Sequence, residues 1–249
     1  MKNSVCAMGA AFLAMCLCIS AAAHANVVIA GTRVVFPAKD GEVTLRLTND
    51  NTKPALVEAW IDRGDVHSTP DKVDTPFLIT PPLFRMEAHK DQSLRIIYMH
   101  GQLPADRESL FWLNVLEVPP KPSGPQSTDM NFLQLAIRSR LKLFYRPDDL
   151  QGDSTKAPAL LTFKAAVDGK GVTTLVVHNP TPYYLTFADL GVVVAGTSYA
   201  VDTGMVAPMS DLRLAVPKLK QLPAAGTPVH FNTINDYGAL APLAATITP

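Results

Sequence analysis

The chain has 249 residues, 47% hydrophobic, with 22 Lys and Arg against 22 Asp and Glu. That balance gives no electrostatic reason to hold nucleic acid or an anionic membrane surface. The length allows two hydrophobic cores.

Residues 1–25, MKNSVCAMGAAFLAMCLCISAAAHA, carry Lys2, an apolar run, and Ala23-His24-Ala25 at the end. This is the pattern of a secretory signal peptide cleaved after Ala25. An uncleaved membrane anchor and a lipoprotein signal are the alternatives. The small-x-small ending without a basic flank favours cleavage, and Met15 and Leu17 precede Cys16 and Cys18 where lipidation needs a small residue. All three cysteines lie in this segment, so the remainder has no disulfide and is held together by burial alone. Without Lys2, 21 Lys and Arg face 22 Asp and Glu, a charge near −1. No second apolar stretch is long enough to span a bilayer.

The rest reads as β-structure almost throughout. VVIAGTRVVF is a first strand, followed by EVTLRLTN, in which Val43, Leu45 and Leu47 alternate with Glu42, Thr44, Arg46 and Thr48. ALVEAWID, a short strand around Leu83 to Met86, QSLRIIYM, SLFWLNVLEV and LAIRSRLKLFYRP follow, with turn-formers between them. About seven strands by Pro147 suggest a sandwich. The polar stretch Pro147 to Asp153 reads as a hinge. Beyond it LLTFKAAV, GVTTLVVHN, YYLTFADLGVVV, SYAVDT, DLRLAV, VHFNTIN and APLAATIT form a second sandwich. The expected domains are residues 26–147 and 148–249, all-β, with no amphipathic helix longer than about two turns. KPSGPQST, residues 121–128, reads as a mobile loop.

No constellation for catalysis is found. The six histidines have no metal-ligand spacing, no cysteine remains as a nucleophile, and no phosphate-cradling glycine loop or Gly-x-Ser-x-Gly is present. No catalytic residue, metal or cofactor is expected.

The cations of LAIRSRLKLFYRP pose the question of their partners, because a buried charge is costly unless paired. Arg33 raises the same question in an apolar strand. The bland reading is that such charges protect exposed strand edges.

TRVVF, LTNDN, AWID, TPPLFR, DRESLFWLN, EVPP, LQLAI, LKLFYRP, NPTPYYLT and INDYG, in that order, resemble the periplasmic chaperones of pilus assembly, of which the P-pilus chaperone is the type. The resemblance spans essentially the whole chain after the signal. It implies two immunoglobulin-like domains set at an angle, like a boomerang, around a cleft. It implies that Arg33 and Lys142 anchor the C-terminal carboxylate of a pilus subunit. It implies that Leu133, Leu135 and Ile137 belong to a strand lent to a subunit lacking its own last strand, with Gln134 and Ala136 facing the other way. Glu108, Arg146 and Asp236 match an ion-pair network across the domain junction. Arg138 and Arg140 have no role in the resemblance and are read as edge protection. The implied partners are pilus subunits and an outer-membrane usher, and the implied compartment is the periplasm. A free chain with an exposed apolar row is expected either to self-associate or to cover the row. The loop after EVPP and the lack of a disulfide in the second domain fit the short-loop branch serving rod-like pili. The alternative is a two-domain sandwich that is itself a surface adhesin or pilus component. It is disfavoured because the first domain has a full strand set.

Overall fold

The structure, a computed structural model, describes residues 27–121 and 133–249. The signal-peptide segment, residue 26 and most of the KPSGPQST loop lie outside the described residues.

The stretch read as one opening strand is two, β1 (Val27–Ile29) and β2 (Arg33–Pro37). Between them Gly31 has a φ of +111°, which a residue with a Cβ adopts only under strain. The chain uses this kink to change sheets: β1 joins β3 (Glu42–Asn49), while β2 crosses to the opposite layer. β4 (Ala55–Asp62), β5 (Phe77–Thr80), β6 (Leu83–Met86), β7 (Asp91–Tyr98), β8 (Ser109–Val118) and β9 (Ile137–Arg146) complete this half. Nine strands among the described residues therefore replace the expected seven or so, because of that split and because β5 was not foreseen. The two sheets run β1-β3-β7-β5 and β2-β9-β8-β4-β6.

Alternation on β3 puts Leu45 and Leu47 inside and leaves Glu42, Thr44 and Arg46 outside, as the pleat requires. The first core is closed by an aromatic cluster. Phe36 lies edge-on to Phe77 with ring centroids 5.4 Å apart, Phe77 meets Phe111 at 4.9 Å, and Tyr98 meets Tyr145 at 4.6 Å. Such pairs add to the burial of their area.

The second half repeats the scheme with its own core, centred on Phe163, Leu175, Val177, Val192, Val229 and Phe231. β10 (Thr162–Val167), β11 (Thr173–Asn179) and β15 (Ser210–Ala215) form one sheet. β12 (Leu185–Val194), β13 (Thr197–Ala200), β16 (Pro228–Ile234) and β17 (Leu240–Thr246) form the other, with β14 (Met205–Val206) pairing to β12. The helical pieces among the described residues are short 3-10 turns. Each half is an immunoglobulin-like sandwich, and the molecule is all-β.

A fully buried asparagine pins the end of β3 and, equivalently, of β11. Asn49 donates to the carbonyls of Lys53, Met86 and Glu87 and accepts from the Asn51 amide. Asn179 donates to the carbonyls of Tyr183 and Ala207 and accepts from Thr181. Each side chain satisfies turn groups that burial would otherwise strand.

Both tryptophans, Trp60 and Trp112, belong to the first sandwich, so their fluorescence reports that sandwich alone. Phe36→Ala is expected to destabilise it by about 3–5 kcal/mol, through lost burial and the cavity left among the aromatic rings. Urea titration followed by tryptophan emission measures this.

Candidate functional site

β9 lies between β8 and β2, and its two faces differ. Leu141, Leu143 and Tyr145 enter the first core. The residues of the other parity, Arg138, Arg140, Lys142, Phe144 and Arg146, face outward. β8 pairs with β9 from Ile137 to Tyr145. β2 runs parallel to it and pairs only from Lys142 to Arg146. The stretch 137–141 thus has no ladder partner on its β2 side among the described residues.

The β2–β9 register sets Arg33 directly beside Lys142. Arg33 Nη1 donates to the carbonyl of Ile234 at 2.8 Å, and its Nε is buried without a partner. Its guanidinium lies 5.8 Å from the Phe144 ring centroid. Burial pushes the Arg33 pKa below its ordinary value, against the opposing pull of Asp236 and Glu108. Lys142 Nζ donates to Thr186 Oγ1 at 3.1 Å and stands 5.9 Å from the Trp112 ring centroid. Burial, and then the neighbouring Arg33 charge, bring the Lys142 pKa from 10.5 down to about 8. Among the described residues, no carboxylate is within salt-bridge distance of either cation. Each is held instead by a neutral oxygen of the second sandwich.

Next to them is a satisfied ion-pair cluster. Arg146 Nε donates to Glu108 Oε1 at 2.7 Å, while its Nη1 and Nη2 reach both oxygens of Asp236 at 2.8 and 3.0 Å. The Tyr184 amide donates to Glu108 Oε2, and Ser154 Oγ donates to Asp236. Burial raises the Glu108 pKa, which Arg146 only partly offsets. For Asp236 burial acts upward too, but the hydrogen bond and charge of Arg146 outweigh it and hold the pKa low. Glu108 and Arg146 come from the first sandwich, Asp236 and Tyr184 from the second half. The Asn179 clasp shapes the turn that presents Tyr184. Asn235, whose Oδ1 accepts from the Tyr237 and Ala239 amides, shapes the turn that presents Asp236. That turn needs Gly238: its φ is +83°, and a Cβ there would lie 2.5 Å from Thr32 Oγ1. Arg33, Phe144, Arg146, Tyr184, Asp236 and Tyr237 share one cleft between the sandwiches.

The row proposed for lending is exposed: Leu133 86%, Leu135 64% and Ile137 50%. Only Ile137 is in a strand, since β9 begins there rather than at Leu135. Gln134 and Ala136, expected to face away from that row, are exposed as well, and Gln134 Nε2 donates to the Pro119 carbonyl.

Arg138 and Arg140 overturn the edge-protection reading. Their side chains fold back across β8 rather than guarding the edge. Arg138 donates to Asn114 Oδ1, the Val66 carbonyl and Ser68 Oγ, and stacks 4.7 Å from the Trp60 ring centroid. Arg140 donates to Asn114 Oδ1 and to both oxygens of Asp62, and stacks 4.8 Å from the Trp112 ring centroid. Asp62 is 2% exposed and also accepts from Gly64, Ser68 and Asn114. Hydrogen bonds to its neighbours and the Arg140 charge hold its carboxyl below its ordinary pKa, although burial, the largest single influence, pushes upward. The sequence signal is period-two alternation: Asp62, Asn114 and Arg140 are outward residues of their strands, the β8–β9 register sets Asn114 opposite Arg140, and the β4–β8 register sets Asp62 opposite Trp112, diagonal to Asn114 on the same face.

Glu108→Ala would leave the Tyr184 amide without its acceptor and Arg146 with Asp236 as its remaining carboxylate. Breaking a buried pair by removing one partner costs about 3–5 kcal/mol. Solution scattering is expected to show a broadened distribution of interdomain distances, with the β-sheet circular dichroism retained.

Residues 26–151 match the family model for the N-terminal domain of PapD, a pili and flagellar-assembly chaperone, and residues 156–245 match that for the C-terminal domain of the pili assembly chaperone PapD. The chain is 45% identical to the chaperone protein FimB/FhaD of Bordetella pertussis, over 99% of this chain and 97% of that one. It is 43% identical to the probable fimbrial chaperone YadV of Escherichia coli K12, over 90% of each. The crystal structure of the YadV chaperone superposes with a TM-score of 0.76 at 39% identity, covering 90% of this chain and 100% of that one. The SafB chaperone, solved in complex with the Salmonella enterica SafA pilin, superposes at 0.72 with 29% identity, over 91% of this chain and 99% of the other. Two matched domains in sequence order, over nearly the whole chain, establish that the protein belongs to the pilus-assembly chaperones.

Proposed function

We propose that the chain binds pilus subunits in the periplasm by strand lending and carboxylate capture and passes them to an outer-membrane usher. The observation that carries this reading is the pair Arg33 and Lys142. They sit side by side, Arg33 on the cleft and Lys142 next to it in register, with no carboxylate partner among the described residues, beside the stretch of β9 whose β2-side ladder edge is free among those residues. Two adjacent cations favour an anion that can accept from both, and charge-assisted bonds of this kind are stronger than neutral ones. A terminal carboxylate is such an anion. The free edge of residues 137–141 offers unpaired backbone groups to an added strand. Exposed Leu133, Leu135 and Ile137 offer alternate apolar side chains to a partner's core. Each such side chain contributes roughly 1.5–3 kcal/mol when fully buried. SafB, a similar chaperone, is held with a pilin. In this reading residues 26–147 present the strand and the anchors, residues 148–249 complete the cleft, and Glu108, Arg146 and Asp236 keep its angle.

The reading is tested by co-purification from periplasm, with mass spectrometry of the bound partner, for the wild type, Arg33→Ala and Lys142→Ala. Both variants should remain folded and lose the subunit, because each removes a charge without opening the core. Wild-type recovery by either variant would remove it from the anchor.

Capture should also depend on pH. Free Lys142 deprotonates at about 8, and a bound carboxylate favours its charged form, so its pKa rises on binding. Affinity is therefore full between about pH 5, above the terminal carboxylate's own titration, and about pH 8, and falls as pH climbs above it. Lys142→Met should flatten that limb, since Arg33 stays protonated throughout. A titration compares a short alternating Val/Thr peptide ending in a free carboxylate with its amide.

Ile137→Glu should abolish subunit binding, because an unpaired charge entering the partner's core is strongly unfavourable. The free chain should stay folded. Amide exchange of residues 133–141 should slow when subunit is bound, and equal exchange in both states would count against strand lending.

A further inference from the structure

The polar cluster of Arg138, Arg140, Asp62 and Asn114 has a placement that stability alone does not explain. β9 is flanked on both sides from Lys142 onward, but from Ile137 to Leu141 only β8 pairs with it among the described residues. A half-paired strand end frays more readily than a central one. Both arginines leave the strand within this half-paired stretch. Each crosses β8 by way of Asn114, and Arg140 reaches Asp62 at the end of β4 at 2.9 and 3.1 Å. The strand end is thereby tied to the second strand away. The same two side chains hold the segment after β4, through the carbonyls of Val66 and Asp65 and through Ser68 Oγ. Arg140 and Lys142 also share Trp112, at 4.8 and 5.9 Å from its ring centroid. The cluster therefore connects the unpaired edge to the Lys142 side chain.

Burying such a network is a poor way to gain stability. Desolvation of the charges opposes their attraction, and apolar residues of similar volume are often as good or better. What a fully hydrogen-bonded network does provide is one arrangement in place of several. We infer that Asp62, Asn114, Arg138 and Arg140 form a positioning brace that keeps the free edge of β9 in register and extended before any partner arrives, and that fixes Lys142 against Trp112. This rests on the proposed capture by Lys142 and the β9 edge. The brace would lower the ordering cost that an added strand meets on binding.

The test separates geometry from stability. One variant replaces the cluster with apolar residues of similar size, Asp62→Leu, Asn114→Leu, Arg138→Met and Arg140→Met together. A second, Arg140→Lys, keeps the charge but loses the planar fork that spans both oxygens of Asp62. Amide exchange in the free protein is compared between residues 137–141 and the core residues of β8. Binding of the carboxylate-ended Val/Thr peptide is measured alongside, with Lys142→Ala as the control for the capture reading.

In both brace variants residues 137–141 should exchange at least tenfold faster while the β8 core keeps wild-type protection. Peptide affinity should fall about tenfold, and in the apolar variant the unfolding midpoint should stay near wild type. Wild-type exchange at 137–141 in the apolar variant would overturn the brace. So would a loss of protection spread equally over β8, which marks a merely structural role. A Lys142→Ala variant that binds as wild type would instead refute the capture reading. The exchange result in the free protein would then still decide for or against the brace.

Discussion

The alternation of side chains along β9 is the constraint on which the rest depends. A strand has two faces and a period of two. β9 must supply Leu141, Leu143 and Tyr145 to the core, so every residue of the other parity is committed to the outer face. That face carries Arg138, Arg140, Lys142 and Arg146 in one row. A row of four cations on a single strand is self-repelling, and each position resolves the repulsion differently. Asp62 pairs with the first two, Glu108 and Asp236 pair with the last, and Lys142 is left with a hydroxyl. Among the described residues, the one cation of the row without a carboxylate is the one the register sets beside Arg33, which has none either.

Local pattern made most of the fold legible. Turn residues and alternation marked β3, β4, β7, β8 and most of the second sandwich. The errors have a common origin in backbone geometry. Nothing in the apolar pattern of VVIAGTRVVF shows that the chain changes sheets at Gly31, because the residues on both sides are equally good strand formers. β5 was passed over because PFLIT is short and is followed at once by Pro81 and Pro82. The start of β9 was set two residues early, since LAI continues the apolar pattern although the ladder begins only at Ile137.

The site was legible to a different degree. Residues named on resemblance are brought together by the structure in two groups, Arg33 with Lys142 and Arg146 with Glu108 and Asp236. Arg138 and Arg140 were misread because their partners lie far away in sequence. Asp62 is 78 residues from Arg140, and Asn114 is 24 from Arg138. Only strand register reveals that such residues are neighbours. An aspartate ending AWID and an asparagine inside SLFWLNV each look like ordinary turn or rim residues.

The oxygens that hold the two unneutralised cations have a thermodynamic implication. The Ile234 carbonyl and the Thr186 hydroxyl both belong to the second sandwich, while Arg33 and Lys142 belong to the first. These two bonds are part of what joins the halves. An anion that draws the two cations away from those oxygens competes with that joint, and its occupancy is then coupled to the angle between the sandwiches. By linkage the coupling is reciprocal: whatever shifts the angle must change affinity by the same factor that the ligand shifts the angle. A partner that grips both halves of a loaded chaperone could therefore loosen its cargo without touching the cargo.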